Sequence, residues 1–129
     1  ILQLRRRHCN YLHIILIYSL HKRFRLYIYS VNMSSATFSW DDRKNQTNQR
    51  KQDISFEEAQ TVFFDENAIE YFDPDHSGDE ARFILLGISF KLKVLVVCHC
   101  FREEETTVRI ISARKADSSE SEVYWDNRA

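Results

Sequence analysis

The sequence predicts an α+β fold, a small antiparallel sheet with helices packed on it. Three observations carry that prediction. Four apolar runs follow one another between residues 68 and 116 with only short links between them. One stretch, "ISFEEAQTVFFD", has helical spacing behind a capping residue, and the chain closes on a second capped segment. Successive strands with short links pair antiparallel, and helices outside such a run pack on the sheet. The chain of 129 residues has room for one core, and its 43% apolar and 29% charged residues are those of a globular protein.

The elements follow in order. "ATFSWDD" reads as a short strand with Phe38 and Trp40 on one face. "DDRKNQTNQRKQD" is polar throughout and suits an exposed helix or loop. In "ISFEEAQTVFFD", Ser55 and Glu58 form a capping box, and Phe56, Ala59, Val62 and Phe63 share a face. Strands are expected at 68–73, 82–90, 93–103 and 107–116. Pro74, the only proline, and Gly78 mark the turn before the second of these. "FKLK" reads as a hairpin turn, and "EEETT" as a solvated connection. "ADSSESEVYWDN" reads as a helix capped at Asp117, with Glu120 three residues on.

Residues 1–32 differ from the rest. They carry six Lys and Arg and no acid, whereas residues 33–129 carry twelve bases against nineteen acids. The apolar run "YLHIILIYSL" is well short of the ~20 residues that span a bilayer. No small-residue cleavage site follows it. A basic helix lying on a membrane surface fits this composition. The preferred expectation is that translation begins at Met33, the only methionine, and that residues 1–32 are an upstream extension of the reading frame. Three cysteines make no even disulfide framework, which suits a reducing, cytoplasmic setting.

Metal-free cleavage of RNA requires a base for the 2′-OH, an acid for the leaving oxygen and cations for the phosphate. Residues able to serve are His76, Glu80, Arg82, His99, Arg109, Arg114, Lys115 and Tyr124. His76 can move a proton or simply bond its own turn. Glu80 and Arg82 are two apart, so they share a face, either as a surface ion pair or as a carboxylate that holds a phosphate-binding arginine. Arg109 and Arg114 are five apart and lie on opposite faces of a regular strand. "CHC" at 98–100 invites zinc, but alternation sends both thiols one way and His99 the other. No cofactor or metal is expected. The acidic balance of residues 33–129 disfavours general affinity for nucleic acid, so any RNA contact must be local.

Three blocks in order, "FSWDDRKNQTNQRKQDISFEEAQTVF", "DPDHSGDEARFILLGIS" and "LVVCHCFREEETTVRIISARKA", resemble the BrnT family of bacterial type II toxins. The resemblance runs from Phe38 to about Tyr124. It implies a compact RelE-like fold and a ribonuclease that arrests translation. It also implies a BrnA-type antitoxin carrying a ribbon-helix-helix element, so that operator DNA is met only through the partner. His76 and Ser77 match the family's "HS", Glu80 and Arg82 complete "HSxxExR", and Arg109, Ser112, Ala113 and Arg114 match "RxISAR". Trp40, Asp41, Asn48, Phe56, Glu57 and Ala59 match the first block. The catalytic set carried over is therefore His76, Glu80, Arg82, Arg109 and Arg114. One departure matters. Where the family has Lys-His-Gly, this chain has Lys51, Gln52 and Asp53. Gln52 is neither acid nor base, and Asp53 replaces a glycine in a turn that calls for a left-handed residue. A degenerate toxin acting as an antitoxin-bound co-repressor is the alternative.

Overall fold

The structure, a computed structural model, describes residues 37–102 and 107–128. Met33, the residues before it and most of the "EEETT" connection lie outside the described residues.

Strand β1 (Thr37–Ser39) leads into helix α1 (Asp42–Gln52) and the short helix α2 (Phe56–Thr61), which tightens into a 3-10 turn at Val62–Phe64. Strand β2 (Ile69–Asp73), a 3-10 turn at Pro74–His76, and strands β3 (Arg82–Ile88), β4 (Val94–Arg102) and β5 (Thr107–Lys115) follow. Helix α3 (Ser118–Arg128) closes the described chain. The sheet runs β1-β5-β4-β3-β2. The four strands from β2 to β5 pair antiparallel as expected. The sheet is nevertheless mixed, because β1 lies parallel to β5, with Thr37 and Thr107 hydroxyls 2.9 Å apart. The expectation of an all-antiparallel sheet fails there because β1 and β5 are not successive. Residues 40–106 separate them, and a short-link rule says nothing about their direction.

One sheet face carries the main core. Phe56, Ala59, Val62 and Phe63 are all buried against Leu85, Leu95, Val97, Val108, Ile110 and Ala113. Phe38 and Trp40 pack on the same cluster. The polar α1 is a helix, and it buries asparagines rather than apolar side chains. Asn48 donates from Nδ2 to the Ile54 carbonyl at 2.8 Å and the Ala113 carbonyl at 2.9 Å. Its Oδ1 accepts from Ala113 N–H at 3.1 Å. These bonds let a helix with no apolar stripe dock on β5, since each buried backbone group it meets is satisfied.

The caps explain where the helices start. Asp41 accepts from the N–H groups of Arg43 and Lys44. Asp53 ends α1 at φ 58°, ψ 30°, the left-handed conformation expected there. Only half of the Ser55–Glu58 box forms. Ser55 Oγ accepts from Glu58 N–H at 3.0 Å, but the Glu58 carboxylate turns to the β3–β4 hairpin and accepts from Ser89 Oγ at 2.7 Å. The Asp117–Glu120 box is complete, with reciprocal bonds of 2.9 and 2.8 Å.

These caps make stability acid-sensitive. Backbone N–H groups hold the Asp41 and Asp117 carboxyls below their ordinary 3.8. A hydrogen bond from Arg114 holds Glu120 below its ordinary 4.5. Carboxyls depressed in the folded state stabilise it above their unfolded pKa and lose that contribution as pH falls through the folded pKa. The urea midpoint should therefore fall steadily once pH drops below 4.5, and less steeply in Glu120→Gln. A midpoint that stays flat on acidification would contradict the capping account.

Candidate active site

The second sheet face is only partly covered. Tyr124 of α3 packs there on Leu86 and Val96, beside Ile84, Ile88 and Val94. The remainder is an open cleft of about 310 Å³. Its floor is Ile84, Val96, Cys98 and Ser112, and its rim carries Asn48 and Gln52 on one side and Asp73, His76, Arg82 and Arg114 on others.

Local chain chemistry places each rim residue. Arg82 opens β3 directly opposite Asp73 of β2, on the face shared with Ile84. Its guanidinium pairs with no carboxylate among the described residues. Ser77, which is buried, ties the turn to the strand: its hydroxyl donates to the Asp73 carbonyl and accepts from Arg82 N–H at 3.0 Å. His76 is exposed, and its Nδ1 stands 2.9 Å from Asp73 Oδ2. With the Asp73 carboxylate as acceptor, Nδ1 is the donor, and Nε2 is the ring nitrogen left outside this bond. Asp73 thus orients His76, much as a carboxylate orients the histidine of a catalytic dyad.

A bulge alters the expected placement of the β5 arginines. Cys98 pairs with Ser112, but His99 pairs with Ile110, so Ile111 is an extra residue. The extra residue restores the phase across the five-residue interval. Arg109 is opposite Cys100 and Arg114 opposite Val96, and both therefore lie on the open face rather than on opposite faces. Arg109 stands toward the Asp41 end and lowers the Asp41 pKa, though less than the backbone N–H groups of Lys44 and Arg43 do. Arg114 lines the cleft and is forked to Glu120 at 2.7 and 2.9 Å.

Glu80 departs from the expected pairing. It reaches the open face but forks to Arg102, at 3.1 and 3.2 Å, and not to Arg82. The cause is the antiparallel register, which sets Arg102 of β4 beyond Cys100 and beside the chain leading into β3. Burial, then the hydrogen bond with Glu80, pushes the neighbouring Cys100 thiol up to about 12. Burial likewise raises the Cys98 pKa, so neither thiol is poised as a nucleophile.

Other candidates stand away from the cleft. His99 is fully buried on the core face, with Nε2 2.8 Å from Glu70 and the rings of Phe63, Phe83 and Phe101 around it. Tyr124 is fully buried and donates to Asp65 Oδ2 at 2.7 Å. Lys115 is opposite Leu95 and so belongs to the other face from Arg114. Among the described residues, no three His, Cys, Asp or Glu side chains gather to hold a metal ion. Sequence reasoning did not single out Asp73 or the fork from Glu120 to Arg114. The "DPDH" spacing carries a signal for the first, since i, i+3 in a 3-10 turn brings the two side chains together.

Fold and site together define a small α+β protein with a mixed five-stranded sheet, one face packed by helices and the other an open cleft rimmed by arginines and a carboxylate-oriented histidine. The family described as ribonuclease toxin, BrnT, of type II toxin-antitoxin system matches residues 40–120, and this chain belongs to it. The crystal structure of the Brucella abortus ribonuclease toxin BrnT is similar, at 20% identity and a TM-score of 0.51, over 64% of this chain and 99% of that one. No curated protein matches.

Proposed function

We propose that this chain is a toxin that cleaves RNA on the open sheet face and is neutralised by an antitoxin of the BrnA type. Membership of a ribonuclease toxin family supports the class of activity. The observation that carries the site is the convergence on one cleft of Arg82, Arg114 and the Asp73–His76 pair. In this reading, His76 Nε2 takes the proton from a 2′-OH, and the alkoxide attacks the adjacent phosphorus. Arg82 and Arg114 hold the non-bridging oxygens, where charge builds in the transition state. The leaving 5′ oxygen takes its proton from water or from an imidazolium. Metal ions have no step in this scheme. Glu80 holds Arg102 on the same sheet face, outside the cleft lining, and Arg109 extends the cationic face along the RNA strand.

The RelE-like description fits the helix-packed sheet, and the partner is a small ribbon-helix-helix protein that meets operator DNA itself. Translation arrest in the cytoplasm follows from cleavage of messenger RNA. No described helix is long and apolar enough to cross a membrane.

Expression from Met33 under an inducible promoter tests this reading. Growth should stop and cellular RNA should fragment, and both effects should vanish when a cognate BrnA-type antitoxin is co-expressed. Unaffected growth with intact RNA would favour the second reading, a co-repressor that binds its partner without cutting. One observation favours that alternative: Gln52, in place of the family's histidine, sits on the rim of the cleft.

A further inference from the structure

We infer that Glu120 is the positioning residue for Arg114, and that it leaves one fork of that guanidinium free to receive a phosphate. The inference rests on the ribonuclease reading above. An arginine has five N–H donors in a planar array. Three are used here. Nη1 donates to Glu120 Oε1 at 2.7 Å and to the Lys115 carbonyl at 3.3 Å, and Nη2 donates to Glu120 Oε2 at 2.9 Å. The Nε–H and the second Nη2–H have no partner among the described residues. They point to the same side of the plane's edge and form a second two-pronged donor.

Glu120 is itself fixed. Its Oε1 accepts from Asp117 N–H at 2.9 Å, and its own N–H donates to Asp117 Oδ1 at 2.8 Å. The short link before α3 is pinned to the sheet by Ala116 N–H on the Val94 carbonyl at 2.9 Å. The capping box of α3 is thus also the brace of a cleft arginine. An unbraced arginine at the surface samples many rotamers, so the brace removes before substrate arrives the disorder that binding would otherwise have to remove.

The opposite role for Glu120 is competition with the phosphate, since it places a negative charge beside it. The two roles differ in sign. If the carboxylate competes, Glu120→Gln speeds cleavage. If it positions, kcat falls by roughly tenfold or more, because misplacing a catalytic contact by about 1 Å costs up to 10²-fold, while KM changes little.

The test uses the full chain and an oligoribonucleotide, with Glu120→Gln, Arg114→Ala, the double variant, and Glu122→Gln as a charge-matched control at an exposed position of the same helix. We expect a lower kcat in Glu120→Gln, no further loss on adding it to Arg114→Ala, and parent behaviour in Glu122→Gln. Losses that multiply in the double variant, or a faster Glu120→Gln, would overturn the inference. An activity-independent arm follows the Arg114 Nε–H resonance by NMR. It should be sharp in the parent, shift on adding a 2′-O-methyl oligonucleotide that cannot be cleaved, and broaden in Glu120→Gln. If the parent cuts no RNA but shows this pattern, the ribonuclease reading fails and the brace stands. An Arg114 resonance identical in parent and variant removes the brace.

Discussion

Arg82→Ala and Arg114→Ala should each lower RNA cleavage by roughly 10²–10³-fold, the usual cost of removing a donor to transition-state charge. Arg82 has the larger expected effect. Its guanidinium lines the cleft without a carboxylate partner among the described residues, whereas Arg114 divides its donors between Glu120 and the cleft. Lysine at position 82 should restore only part of the activity, since it keeps the charge and loses the two-pronged geometry. The backbone N–H of Arg82 bonds Ser77 Oγ, and that bond survives the substitution. Antitoxin binding and the unfolding midpoint should accordingly change little. Glu122→Ala, on the exposed side of α3, is the control and should match the parent. Single-turnover cleavage by protein shown to be folded measures all four. Full activity in folded Arg82→Ala and Arg114→Ala would remove the phosphate-holding role from both.

Gly87→Ala should destabilise the fold more than any other one-methyl change in β3. A Cβ at position 87 would stand 2.7 Å from Ala68 Cβ, 2.8 Å from Val62 Cγ1 and 3.0 Å from Asp65 Oδ2. Two of these neighbours are short side chains held close to their own backbone, so they cannot swing away. Overpacking of this kind costs about 1–3 kcal/mol. The third neighbour adds to it. Asp65 Oδ2 accepts both from Ile88 N–H at 2.8 Å and from Tyr124 Oη–H at 2.7 Å. Moving that carboxylate loosens α3 from the sheet. Urea denaturation should show a lower midpoint with an unchanged slope. An unchanged midpoint would mean that the 62–68 segment yields easily and that the close approach is incidental.

Much of this architecture was legible in the residues. The four strands from β2 to β5 and the capped last helix follow from alternation and capping chemistry, which are local, whereas the left-handed Asp53 was expected from the glycine of the resembled family. The parallel β1–β5 contact was not, because no local pattern encodes which edge a three-residue strand joins. Arg109 and Arg114 were misplaced for a similar reason. Their spacing is right for a regular strand, and the extra residue Ile111 leaves no mark in composition. The Glu80 fork shows the limit of i, i+2 reasoning. Two residues on one face need not pair when a third, Arg102, comes from the neighbouring strand. Sequence motifs brought His76, Arg82 and Arg114 to one cleft, and geometry added Asp73 and Glu120 as the groups that orient them.

The chemistry of the cut ends tests the central claim most directly. Purified chain beginning at Met33 is incubated with a defined RNA in the presence of a metal chelator, and the fragment termini are read by mass spectrometry. Attack by a 2′-OH with His76 as base must leave 2′,3′-cyclic phosphate on one fragment and 5′-OH on the other, and Arg82→Ala must suppress both. Intact RNA, or fragments ending in 3′-OH, would contradict the account.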